Sequence, residues 1–146
     1  LALATAGRAT AIMDLTWDRV DFERGTIALG EGRRLRKGRA TVPMTDRARA
    51  ELQAAFRART TAYVIEYGGD RVRSVRTGFD AAAKAAGLDW VSPHALRHTA
   101  AVWMAEAGTP MAEIAQYLGH SDERVTFRTY ARFSPSHLRR AAGALE

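Results

Sequence analysis

From Ser92 nearly to its end, the chain carries helix-compatible sequence broken only at Gly108-Thr109-Pro110, Gly119-His120-Ser121 and Ser134-Pro135. That run dictates several short helices that must pack on one another, because none has a partner strand nearby in sequence. Pro93 suits a first helical turn, with Ser92 as its cap. Gly119 ends one helix, Ser121 or Asp122 caps the next, and Tyr130 lies near that helix's end. Upstream the pattern is mixed. Leu1–Leu15 (LALATAGRATAIMDL) reads helical despite Gly7, and Asp18–Asp21 reads as a turn. Thr26–Leu29 and Ala40–Met44 form a hairpin across Gly30–Gly38, with Pro43 at a strand end or edge. Thr45 or Asp46 caps a helix over 47–60, Ala62–Tyr67 supplies a third strand, and Arg73–Ala86 is a helix closed by Gly87. The sequence thus predicts one α+β domain over 1–146, mostly helical with a small three-stranded antiparallel sheet. Trp17, Phe79 and Trp103 are assigned to its core.

Charge narrows the partners. The net charge is +6, and the basic residues are Arg apart from Lys37 and Lys84. Arg33–Arg49 holds Arg33, Arg34, Arg36, Lys37, Arg39, Arg47 and Arg49 against Asp46 alone, so this stretch accounts for the whole excess. A polyanion is the economical partner, because the planar guanidinium fork fits phosphate; a basic loop tuned for solubility is the bland alternative. With Cys at zero, disulfides, thiolate metal sites and a cysteine nucleophile are excluded. No apolar run approaches the roughly 20 residues of a membrane-spanning helix, which predicts a protein without a membrane partner. The cytoplasm is the natural compartment of a chain without cysteine.

Two elements carry candidate chemistry. In Ser92–His98 (SPHALRH), His94 and Arg97 are three apart and share a helix face, where both can donate to phosphate oxygens. His98 follows His94 by four, but Ala95 stands where a metalloprotease helix needs Glu, and no third ligand is evident; no metal is predicted. Gln116–Thr129 leads into Tyr130, which Arg128 and Arg132 flank. A helical Tyr is more commonly a packing residue.

Taken together, TAGRATAIMDLTW at Thr5–Trp17, TVPM at Thr41–Met44, PHALRHT at Pro93–Thr99 and LGHSDERVTFRTYAR at Leu118–Arg132 resemble, in content and order, the catalytic domain of the tyrosine recombinases, or phage integrase family. The resemblance implies that Arg8, His94, Arg97 and His120 bind and activate a DNA phosphate and that Tyr130 is the nucleophile. It also implies a hairpin lysine, for which Lys37 is the candidate; Arg34 or Arg36 could occupy the equivalent place. Ala11 stands where the family usually has an acidic residue. The family arrangement further implies an N-terminally truncated catalytic domain without its core-binding domain. Its partner would be double-stranded DNA in the bacterial nucleoid. The full-length protein would be a homotetramer on DNA, and the fragment alone a monomer or weak oligomer.

The implied reaction is strand cleavage and rejoining through a 3′-phosphotyrosyl intermediate. Guanidinium groups would stabilise charge growing on the phosphoryl oxygens, Lys37 would protonate the leaving 5′-oxygen, and no cofactor would be needed, because the phosphotyrosyl bond conserves the energy of the broken one. Basic residues Arg33, Arg34, Arg36 and Arg39 would contact the DNA backbone. The competing class is a non-catalytic DNA-binding module, since Ala112–Val125 (AEIAQYLGHSDERV) resembles a helix-turn-helix. Ser136–Glu146 reads as an amphipathic helix with Leu138, Ala141, Ala142 and Leu145 near one face.

Overall fold

The computed structural model describes residues 1–30 and 40–145. Its N-terminal segment is two helices rather than one, α1 (Ala2–Thr5) and α2 (Ala9–Met13). The break falls at Ala6, whose φ of 47° is left-handed, and is held by the Thr5 side chain, which accepts from the Gly7 N–H at 3.2 Å. A side chain at Gly7 would be crowded: a Cβ there would lie 3.0 Å from Leu29 Cδ1 and 3.1 Å from Ile12 Cγ1. The expected continuous helix over Leu1–Leu15 is therefore corrected, and the consequence is functional, because Arg8 becomes the extended residue that opens α2.

A three-stranded antiparallel sheet follows, ordered β1 (Val20–Asp21), β2 (Thr26–Leu29), β3 (Ala40–Pro43). Val20 pairs with Ile27 and Ile27 with Val42. Ile27, Leu29 and Val42 are buried while Thr41 is exposed, the period of two expected of a sheet with one covered face. The strand count agrees with the sequence, but the third strand does not. Ala62–Tyr67 was expected there and Asp18–Asp21 was expected to be a turn. Instead, the Val64 N–H bonds the Leu15 carbonyl at 2.9 Å, and Tyr63 makes an isolated bridge to Thr16. The remainder turns into a separate two-stranded hairpin, β4 (Glu66–Tyr67) and β5 (Asp70–Arg71), across Gly68 and Gly69 at positive φ.

Between the sheets lies α3 (Asp46–Ala58), capped by the Thr45 hydroxyl accepting from the Ala48 N–H. Then come α4 (Arg76–Ala85), α5 (Pro93–Glu106), α6 (Met111–Leu118), α7 (Glu123–Tyr130) and α8 (Arg139–Gly143). Among the described residues no helix is long and apolar enough to cross a membrane.

The interior has two parts. Ile12, Leu15, Ile27, Leu29, Val42, Leu52 and Val64 fill the space under the sheet. Ala6, Ala100, Ala101, Ala105, Ile114, Leu118 and Tyr130 join α1, α5, α6 and α7. Tyr117 borders both and donates its hydroxyl to the Ala4 carbonyl at 2.8 Å. Beyond Arg97 the buried face of α5 is alanine, which permits close helix approach and turns Trp103 outward, 55% exposed, against the expectation that it is core. Trp17 packs against the first part and Phe79 is half-buried. At the C-terminus, Leu138 and Leu145 stand exposed on either side of the short α8.

Candidate active site

The site is built around the first turns of α5. Pro93 starts the helix as expected, although the Ser92 side chain makes no capping bond. His94 and His98, four residues apart, lie on its exposed side with their rings edge to face, centroids 4.7 Å apart. Arg97 lies between them in sequence but points inward and is only 5% exposed.

Three contacts hold the Arg97 guanidinium. Nη1 donates to the Ala6 carbonyl at 2.7 Å, Nη2 donates to the Leu118 carbonyl at 2.7 Å, and Nη2 lies 3.0 Å from His120 Nε2. Ala6 and Leu118 sit at the C-terminal ends of α1 and α6, where helix carbonyls lack intrahelical partners. A cation there satisfies orphan acceptors and meets the negative ends of two helix dipoles. The left-handed Ala6 and Gly119, the latter at φ 65°, are what allow both chains to turn away and leave those carbonyls free.

The same contact fixes the state of His120. Arginine has no acceptor, so Nε2 must accept and the ring proton sits on Nδ1. Nδ1 then donates to the Thr126 hydroxyl, 2.7 Å away and fully buried on α7. Burial, followed by the charges of Arg97 and Arg8, lowers the His120 pKa below its ordinary value. Burial, then His98, Arg97 and Arg8, lowers that of His94.

One turn beyond Thr126 on α7, Tyr130 faces inward at 4% exposure, with its hydroxyl 2.6 Å from His98 Nδ1. Burial raises the Tyr130 pKa while Arg97 opposes that shift, so at neutral pH the group is a phenol. Arg97 itself is pushed down to about 10, first by burial and then by Arg8, with Tyr130 opposing, and stays charged. Arg8 is exposed, yet its charge acts on His94, Arg97 and His120, which places it in the same cluster. Neither guanidinium has a carboxylate partner among the described residues. A buried cation without a counter-ion is costly, and an anion entering the cluster would relieve that cost. The two N–H donors that Arg97 does not use on Ala6, Leu118 and His120 suit phosphoryl oxygens.

The structure therefore brings together Arg8, His94, Arg97, His120 and Tyr130. It leaves Arg128 and Arg132 exposed; Arg132 lies over the Phe133 ring instead. Lys37 and the DNA-contact candidates Arg33, Arg34, Arg36 and Arg39 lie outside the described residues. His98 is what the sequence reading missed. Its four-residue spacing from His94 raised only zinc, whereas the partner that matters, Tyr130, is 32 residues away.

The histidine shifts have a measurable consequence. Both folded pKa values lie below 6.5, so the unfolded chain takes up protons first as pH falls. The stabilisation is complete above about 6.5 and is lost as pH falls from there through the folded values. Tm should drop between pH 7.5 and 5.5, and His120→Ala should lower Tm at pH 7.5 while flattening that dependence. Parallel melting profiles for the two proteins would contradict the bonded, neutral His120.

A model of the phage integrase family matches residues 1–137. The tyrosine recombinase XerC of Corynebacterium glutamicum is 31% identical over 147 residues, covering 94% of this chain and 46% of the relative. Among solved structures, the catalytic domain of bacteriophage HP1 integrase superposes with a TM-score of 0.70 at 26% identity, covering 97% of this chain and 76% of that one. The Tn1549 transposon integrase, solved in complex with circular intermediate DNA, superposes with a TM-score of 0.80 at 20% identity, covering 99% and 57%. The chain spans about half the length of the XerC relatives it matches.

Proposed function

Because this chain belongs to the phage integrase family, we propose that it is the catalytic domain of a site-specific DNA recombinase that cleaves and rejoins strands through a covalent 3′-phosphotyrosyl intermediate. The observation that carries this reading is Arg97, a buried guanidinium with no counter-ion among the described residues, held between two helix ends beside His120 and within the electrostatic reach of Tyr130.

In this reading the scissile phosphate is the missing anion. Arg8 and the free donors of Arg97 bind its non-bridging oxygens, and their attraction grows as charge accumulates in the pentavalent transition state. His94, exposed at the start of α5, adds a further donor. His120 acts through Arg97: with Nε2 accepting and Nδ1 donating to Thr126, it orients the guanidinium rather than contacting phosphate. The Tyr130 oxygen attacks phosphorus, the bond to the 5′-oxygen breaks, and that oxygen leaves with a proton supplied by Lys37. Religation reverses each step, the 5′-hydroxyl attacking the phosphotyrosyl bond. Double-stranded DNA is the proposed partner, contacted along its backbone by Arg33, Arg34, Arg36 and Arg39, with a homotetramer as the recombining assembly in the bacterial nucleoid. A purely DNA-binding helix-turn-helix made of α6 and α7 would give no chemical role to Arg8, His94 and Arg97 together.

A pool of nicked duplexes with randomised sequence around the nick tests the proposal. When cleavage falls just 5′ of the nick, the short 5′-hydroxyl fragment diffuses away and religation cannot occur. The expected result is a protein–DNA adduct that survives denaturation and disappears on proteolysis. DNA retained only without denaturant would identify a binding module.

A further inference from the structure

The attacking hydroxyl must lose a proton, and the cluster limits where that proton can go. Arg8 and Arg97 have no lone pair to receive it. His120 has both ring nitrogens committed, Nε2 to Arg97 and Nδ1 to Thr126. His94 and His98 remain. The Tyr130 hydroxyl is bonded to His98 Nδ1 at 2.6 Å, with ring centroids 5.8 Å apart, whereas the His94 ring packs edge to face with the His98 ring, centroids 4.7 Å apart. As a phenol, Tyr130 is the donor in that bond, so His98 is the neutral tautomer with its proton on Nε2. His98 is an exposed residue, so a proton it takes up has a route to solvent.

We propose that His98, and not His94, is the general base that takes the Tyr130 hydroxyl proton as its oxygen attacks phosphorus and returns it at religation. The assignment rests on the recombinase reading above. The balance is complete. The O–H bond of Tyr130 breaks towards His98 Nδ1, the new O–P bond forms, the P–O5′ bond breaks, and the leaving 5′-oxygen receives its proton from the general acid. His98 becomes imidazolium next to a phosphorane that has gained negative charge, so the two charges offset one another. His94 is thereby free to serve the phosphate as a donor.

A substrate with a 5′-bridging sulfur isolates the step, because a thiolate leaves without a proton and any defect in the general acid vanishes. On that substrate, His98→Ala is expected to form adduct about 100-fold more slowly in single turnover, within the usual range for general base catalysis. Its melting temperature and DNA affinity should stay near those of the parent, since His98 is exposed. Replacing Tyr130 by a fluorinated tyrosine of lower phenol pKa should shrink that deficit to below tenfold, and added imidazole should restore part of the rate; a merely structural role for His98 would respond to neither. His94→Ala should show no such narrowing with fluorotyrosine. A His98→Ala rate within about threefold of the parent, or a deficit unchanged by fluorotyrosine, would overturn the assignment while leaving the recombinase reading intact. Failure of the parent protein to form adduct on either substrate would instead sink the recombinase reading, and the assignment with it.

Discussion

Tyr130→Phe is expected to abolish covalent DNA capture while leaving fold and DNA affinity almost unchanged. The substitution removes one oxygen. The ring keeps its place among Ala101, Ala105, Ile114 and Leu118 in the second part of the core, and the lost contact is a single hydrogen bond to an exposed histidine. Such a bond contributes about 1 kcal/mol net, too little to unfold a domain of ordinary stability. In the proposed mechanism that hydroxyl is the nucleophile, so adduct should fall below detection rather than merely slow. Gel-shift affinity and Tm, measured beside adduct yield, separate the two effects. Adduct of undiminished yield would move the nucleophile elsewhere.

Arg97→Ala should be the more damaging change overall, because this side chain holds two helix ends together in addition to its proposed chemical role. Its removal leaves the carbonyls of Ala6 and Leu118 without their donor in a buried setting, at about 1–3 kcal/mol each. It also deprives His120 of its partner. Relief of the buried charge offsets part of that loss, so a net destabilisation of about 2–4 kcal/mol is expected, enough to lower Tm by roughly 10 °C. The adduct-forming rate should fall by a further 10²–10³ or so through the lost transition-state donors. Arg97→Lys retains the charge, but a single ammonium cannot span two helix ends as a planar fork does. It should recover part of the stability and little of the rate. A variant that loses rate at unchanged Tm would show that the clamp between α1 and α6 carries no stability.

How much of this was legible beforehand follows from which signals are local. Pro93, Gly119 and Asp122 announced α5, the end of α6 and the start of α7, because caps and left-handed turns are written in single residues. Two short runs either side of a glycine-bearing link announced β2 and β3. The two-residue β1 is too short to show a period, and the β-branched run at Ala62–Tyr67 has strand propensity but spends it on backbone bonds to Leu15 and Trp17. The break at Ala6 was hidden because the left-handed residue is the alanine and the glycine is its neighbour, required for packing against Leu29 and Ile12. Trp103 was misplaced because size suggested burial, whereas the helix contact is made of alanines.

The candidate site divides along the same line. Arg8, His94, Arg97, His120 and Tyr130 could be picked out by motif and order. Their relations could not. That Arg97 binds two helix ends, that His120 reaches it from 23 residues away and that His98 meets Tyr130 are products of tertiary packing. No residue spacing encodes them.

The chemical identity of the covalent link tests the recombinase mechanism most directly. Adduct trapped on a nicked duplex can be digested with trypsin and nuclease and the modified peptide sequenced by mass spectrometry. The prediction is one peptide spanning Tyr130, carrying a nucleotide joined through its 3′-phosphate to the phenolic oxygen, with a free 5′-hydroxyl on the released strand. A link to any other side chain, or one through a 5′-phosphate, would contradict the mechanism.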